Sequence, residues 1–133
     1  MSDSTDVPAS DRSRLADLAR RSSDLVDDSL YAPARADAAE LGAASPDALT
    51  AEVIRLVARL TGARTAVCIS PAPGVPALAI LAAAGQGSGT VVTCITDDPH
   101  HLEAARTALR AAGPPASAAR YIAARPLEVA DKL

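Results

Sequence analysis

The chain has 133 residues, 49% of them hydrophobic, with a net charge of -3 and a pI near 5.2. That length suits one domain with a core of its own, while the acidic balance and scattered arginines argue against a nucleic-acid partner, whose binders carry a basic patch. No apolar run approaches the ~20 residues needed to cross a bilayer, and the amino terminus is polar and acidic where a signal peptide would be basic and then apolar, so a cytoplasmic protein without a membrane partner is expected.

Residues 1–10 are Ser, Asp, Thr and Pro with little to bury, and read as a disordered tail. A helix is expected from Asp11, capped by Ser10, with Leu15, Leu18, Leu25 and Val26 forming one apolar stripe. Its charges (Arg12, Arg14, Arg20 and Arg21 with Asp11, Asp17 and Asp24) read as a solvated face. Residues 34–41 form a second helix ended by Gly42, with Pro33 either starting it or kinking a longer one. The third has Ser45 as cap and Pro46 at its first position; Leu49, Val53, Leu56, Val57 and Leu60 share the face expected to dock on a sheet, and Gly62 stops it. Residues 11–62 are thus a helical segment, and 63–133 an α/β domain.

Thr65-Ala-Val-Cys-Ile69 reads as a buried strand, 70–76 as a loop and 77–84 as a helix closed by the glycines of 85–89. Residues 90–96 form a second strand, after which Asp98 caps and Pro99 opens a helix with Leu102, Ala105, Leu109 and Ala112 inward. Gly113-Pro114-Pro115 ends it, 119–123 form a short third strand, and 127–133 begin another helix. Strands separated by helices imply a parallel sheet with right-handed crossovers. Ligands of such sheets sit beyond the carboxyl ends of the strands, which singles out 70–76 and 96–98. With no Phe or Trp and an alanine-rich composition, each core side chain buries little and stability should be modest.

Cys68 and Cys94 fall mid-strand among apolar neighbours and read as buried free thiols, not as a redox pair, because nothing basic flanks them to favour a thiolate. Asp97, Asp98, His100 and His101 offer four metal-ligand types in five residues. Helix-start chemistry explains them more simply, and their spacing matches no established ligand pattern, so no metal is expected.

Four stretches carry a resemblance: Asp28-Ser-Leu-Tyr-Ala-Pro-Ala-Arg-Ala-Asp-Ala-Ala-Glu-Leu-Gly42, Ser45-Pro46, Leu60-Thr-Gly-Ala-Arg-Thr-Ala-Val67 and Asp98-Pro99-x-His101-Leu-x-x-Ala105-Arg106. In order and spacing the chain resembles the bacterial S-adenosylmethionine-dependent O-methyltransferases of the catechol and caffeoyl-CoA type, over roughly residues 27–133. The resemblance implies helices followed by the first half of a Rossmann-like sheet, three strands in the order 3-2-1, from a family that is usually dimeric. The family's cofactor loop, acid-x-Gly-x-Gly-x-Gly, falls with its acid on Cys68 and its glycines on Ser70, Ala72 and Gly74. The family's ribose-binding acid falls on Thr96, beside Asp97. Ser70, Ala72, Gly74, Thr96 and Asp97 are therefore the vestigial positions of an S-adenosylmethionine site, and Pro71, Pro73 and Pro76 remove N–H donors from it.

In the family the metal-binding and base residues come from the fourth strand onward, beyond the third strand at which this sequence stops, so no catalytic residue carries over. The expectations are a methyltransferase-like chain that is catalytically inactive, a non-catalytic dimerisation or binding module beside an intact methyltransferase, or a degenerate remnant. The first strand would be an uncharged sheet edge, a template for a second copy or a partner chain.

Overall fold

The structure is a computed structural model that describes residues 8–23, 26–129 and 132. Three helices, α1 (Ala9–Ser23), α2 (Ala32–Glu40) and α3 (Ala48–Thr61), precede an alternating run. That run is β1 (Thr65–Ile69), α4 (Gly74–Ala84), β2 (Val91–Thr96), α5 (Pro99–Ala112), β3 (Ala119–Ala123) and the single turn α6 (Pro126–Val129). The strands form one parallel sheet in the order β1-β2-β3, with Cys68 opposite Cys94 and Cys94 opposite Tyr121. This is the expected α/β half-sheet, with β1 and β3 as its edges.

Because the strands advance in one direction, right-handed crossovers place both connecting helices on the same face. The core is built accordingly. Its strand residues are Ala66, Cys68, Val92, Cys94, Ala119 and Tyr121, all of one parity, packed against Val75 and Leu78 of α4 and Leu102 and Leu109 of α5. Arg106 of α5 lies over the Tyr121 ring, 4.8 Å from its centroid. The other parity looks away from these helices, where Val67 is 47% and Ile69 53% exposed. The expectation of a buried β1 is therefore corrected: of its five residues Cys68 alone is buried. An edge strand covered on one face can hide only alternate side chains.

Across the helical layer, α5 packs on β2 and β3, α4 on β1 and β2, and α3 on the flank of α4. With no charged residue in Gly74–Ala84, α4 can sit in the middle of this layer, contacting apolar surroundings on several sides. Its neighbour α3 docks through Ala48 and Ala51, both buried, with Ile54 partly buried beside them. Val53, Leu56, Val57 and Leu60, expected to dock on the sheet, are 52%, 54%, 53% and 77% exposed. The stripe of small residues faces α4, where it permits close approach, and the stripe of large ones faces away.

Cap positions also differ from the sequence reading. Asp47, not Ser45, caps α3: its carboxylate accepts from the Thr50 N–H at 2.7 Å, and Gly62 (φ 60°) closes the other end in the left-handed region. Ser10 lies inside α1, whose first bonds run from Asp11 and Arg12 N–H to the Pro8 carbonyl. Leu15 and Leu18 of that helix are 59% and 57% exposed. Residues 1–7 of the expected tail, Leu25 of the expected stripe, and 130, 131 and 133 of the expected last helix lie outside the described residues. Pro33 sits in the first turn of α2, which seats Ala34 and Ala38 against its neighbours. In α5, Leu102, Ala105 and Leu109 are buried as expected, but Ala108 takes the inward place assigned to Ala112. Among the described residues no helix is long and apolar enough to cross a membrane.

Candidate functional site

The loop between β1 and α4 stands at the carboxyl end of the sheet, where the topology places ligands. Ser70 donates its N–H to the Ile95 carbonyl at 3.4 Å and accepts the Ala72 N–H on Oγ at 3.1 Å. That local turn consumes a donor that a ligand would use. Pro71 and Pro73 have none to offer, and Pro73 is the residue from which α4 springs. Pro76 occupies the first turn of α4, and Ala77 donates to the Pro73 carbonyl at 3.1 Å. Gly74 and Val75 are the residues of that turn left to present an N–H to a ligand.

Gly74 needs its missing side chain for a reason internal to the fold. A Cβ there would meet the Ala105 Cα at 3.3 Å and the Ala105 Cβ at 3.6 Å, so the glycine lets α4 and α5 approach. Ala72, Pro73 and Gly74 are all buried. The cavity touching this loop, bounded by Ala34, Ala38, Pro71, Ala72, His101 and Ala105, holds about 10 Å³, room for roughly one water. The cavity of about 500 Å³ lies elsewhere, along the glycine loop 85–89 and Pro114–Ala118, at the amino ends of the strands.

Thr96 ends β2 with 4% of its surface exposed, its carbonyl accepting the Ala124 N–H at 3.0 Å. Asp97 follows on an exposed bend. The fold brings Ser70, Ala72 and Gly74 into one loop and joins it to the end of β2 through the Ser70–Ile95 bond, but Thr96 is neutral and the acidic group is beside it in the chain. Asp98 caps α5 by accepting the His100 N–H at 2.8 Å, with His101 Nε2 3.7 Å from its other oxygen. Among the described residues no three His, Cys, Asp or Glu side chains converge as a metal site.

Cys68 and Cys94 are free and buried as expected, side by side in register. Burial pushes the Cys68 thiol up to about 11, and burial followed by the neighbouring Cys68 pushes Cys94 up to about 12. Both are protonated thiols at neutral pH.

Sequence reasoning missed a polar cluster on the other side of α2. Tyr31 is fully buried, its hydroxyl donating to Glu52 Oε1 at 2.8 Å, and Arg55 stands 3.4 Å from the same oxygen. Burial, then the Glu52 carboxylate, raises the Tyr31 hydroxyl to about 12. Asp28 pairs with Arg35 through one oxygen, while the other, Oδ1, is buried without a hydrogen-bond partner. The i, i+3 spacing of Glu52 and Arg55 was visible in the sequence; Tyr31 reaching them across 21 positions was not. These groups tie the 28–35 stretch to α3.

A strand, a turn and a helix start at the switch from β1 to α4, repeated at β2 and α5 in a one-directional parallel sheet, define a Rossmann-like α/β arrangement. No family profile matches the chain. A protein of Mycobacterium sp. (strain JLS) that carries O-methyltransferase in its name is 32% identical over 132 residues, covering 98% of this chain and 59% of the relative. A likewise named protein of Mycolicibacterium vanbaalenii is 31% identical over 109 residues, 82% of this chain and 47% of that one. Among solved structures, a Corynebacterium glutamicum protein is 35% identical with a TM-score of 0.71, over 80% of this chain and 50% of the other. A Geobacter sulfurreducens methyltransferase (22%, TM-score 0.68) and the cofactor-bound Rv0187 protein of MTB (24%, TM-score 0.69) share the fold. The chain matches the N-terminal part of an O-methyltransferase family, and spans about three-fifths or less of the relatives named here.

Proposed function

We propose that this chain is a non-catalytic, cytoplasmic relative of the O-methyltransferases, with a helical segment over 11–62 and a half Rossmann-like domain over 63–133, whose S-adenosylmethionine site is vestigial. The observation that carries the reading is the loop after β1. Three prolines remove its donors, Ala72 to Gly74 are buried in it, and the glycine that remains serves the contact with Ala105. At the end of β2 a buried threonine, Thr96, holds the position to which the family resemblance assigns the ribose-binding carboxylate. Charge-assisted hydrogen bonds are worth ~1.5–3 kcal/mol each, so that loss alone lowers affinity by roughly one to two decades. The residues present do not fit the cofactor, and no methyl-transfer step is derived from them.

Titration calorimetry with S-adenosylmethionine tests the proposal. Binding by the 133-residue chain is expected to be millimolar or undetectable, and micromolar binding would overturn the reading. A variant with Ser70→Gly, Ala72→Gly and Thr96→Asp separates loop chemistry from the rest of the fold. Heat from this variant alone assigns the loss to these three positions.

A second reading, a binding module beside an intact methyltransferase or a second copy, is favoured by β1. Its five residues carry no charge, it forms a sheet edge, and two of them, Val67 and Ile69, are about half exposed.

A further inference from the structure

Two arginines of α5 line one hollow at the β3 edge of the sheet, and the described residues supply them with a single carboxylate. We infer that this hollow binds a small monocarboxylate with a flat apolar body, its carboxylate held by Arg106, Arg110 and the Tyr121 hydroxyl. The hollow has a volume of about 390 Å³, within the span of small-molecule sites. Its walls come from one helix, the link after it and one strand: Arg106 and Arg110 from α5, Pro114, Pro115 and Ala116 from the link, Ala119 and Tyr121 from β3. None of them belongs to 70–76 or 96–98, so the inference stands apart from the cofactor reading.

The chemistry of the lining selects the ligand. Arg106 and Arg110, one turn apart on α5, are like charges at a spacing that disfavours the helix. Glu103 offsets one of them, its Oε2 accepting from Arg106 Nη1 at 3.2 Å, while Arg110 forms no ion pair among the described residues. One positive charge is left over, which matches a monoanion and not a dianion such as a phosphate. Each guanidinium presents a planar fork of donors suited to a carboxylate. The Tyr121 hydroxyl adds a further donor, since it makes no hydrogen bond among the described residues. Burial and then Cys94 raise its pKa above the ordinary 10, against a smaller pull from Arg106 and Arg110, so it keeps its proton at neutral pH.

The rest of the lining calls for an apolar body. Pro114, Pro115, Ala116 and Ala119 have no polar side-chain atom, and the Arg106 guanidinium already lies over the Tyr121 ring, 4.8 Å from its centroid. A flat group entering here meets proline rings and a stack already begun.

Titration of the full chain with 2-naphthoate, followed by its fluorescence, tests the inference beside the neutral 2-naphthamide and inorganic phosphate. Saturable binding of 2-naphthoate is expected at millimolar concentration or below. The other two should bind at least about tenfold more weakly, because one charge-assisted hydrogen bond corresponds to roughly tenfold or more in affinity. Arg110→Gln should weaken 2-naphthoate by about tenfold and Tyr121→Phe by about threefold. Arg120→Gln is the control: it removes the same charge from the opposite face of β3 and should leave binding unchanged. Arg110 and Arg120 are both exposed, and circular dichroism verifies that each variant is folded. Absence of saturable binding overturns the inference, as does equal binding of the amide. A loss with Arg120→Gln as large as with Arg110→Gln also overturns it, by reducing the effect to overall charge. Phosphate binding tighter than 2-naphthoate overturns the assigned ligand class.

Discussion

Replacing Asp47 by alanine removes one hydrogen bond and tests how α3 begins. The carboxylate accepts the Thr50 N–H at 2.7 Å, the third residue into the helix, and so satisfies a donor the helix cannot. Loss of such a cap costs ~0.5–2 kcal/mol, typically about 1. For a chain of this size 1 kcal/mol lowers Tm by roughly 3–5 °C. Urea unfolding followed by circular dichroism at 222 nm reads the difference, and Asp47→Asn should retain most of the stability because its side-chain oxygen still accepts. The pH dependence has a defined sign. The Thr50 N–H, together with its side-chain hydroxyl, holds the Asp47 carboxyl below its ordinary 3.8. A depressed carboxyl pKa contributes stability present above the unfolded value and lost as pH falls through the folded one. The gap between wild type and Asp47→Ala should therefore be constant from neutral pH to about 5 and narrow below about 4. Ser45→Ala, the change that the Ser-Pro spacing singles out, should cost less than about 0.5 kcal/mol. The reasoning is refuted if Ser45→Ala destabilises more than Asp47→Ala, or if the gap widens in acid.

The inverted faces of α3 predict that Ala51→Leu, which overfills the contact with α4, destabilises by ~1–3 kcal/mol, whereas Leu56→Ala, at a site 54% exposed, costs well under ~1 kcal/mol in dilute protein; equal losses in urea titrations would contradict the orientation. The two thiols should label far more slowly in the folded chain than in denaturant when followed with a chromogenic disulfide reagent. Their raised pKa values also make the folded state lose stability as pH rises above about 9, where the unfolded chain ionises its cysteines and the folded chain does not, so a double Cys→Ala variant should flatten that alkaline limb.

The order of elements was legible because each signal was local. Loop formers between apolar runs marked the strands, Gly62 and Gly113 marked helix ends, and Asp98-Pro99 marked a helix start. The direction of α3 was not legible, because periodicity identifies a stripe without saying which of two stripes faces in. Leu and Val outrank Ala in hydrophobicity, yet the alanines are inside, where α4 demands close approach. Asp47 lost to Ser45 for a similar reason, since both residue types cap and Pro46 suited the earlier start equally well. In the candidate site, the loop positions followed from the family resemblance, but the contact between Gly74 and Ala105 joins residues that no local pattern links. The resemblance marks Gly74 as a loop position and carries no sign that its open side also meets Ala105.

The one-directional sheet has a kinetic corollary. Thr65 pairs with Val91 and Val92 with Ala119, so each strand closes onto the one made just before it, through a loop of similar length. Sequential closures of this kind suit a chain that emerges from the ribosome amino end first. The contact of α2 with α5 spans a far longer stretch of sequence, so α2 cannot reach its final seat until α5 has been synthesised. Until then Ala34 and Ala38 have nowhere to dock on that helix, and α2 must wait beside a growing sheet.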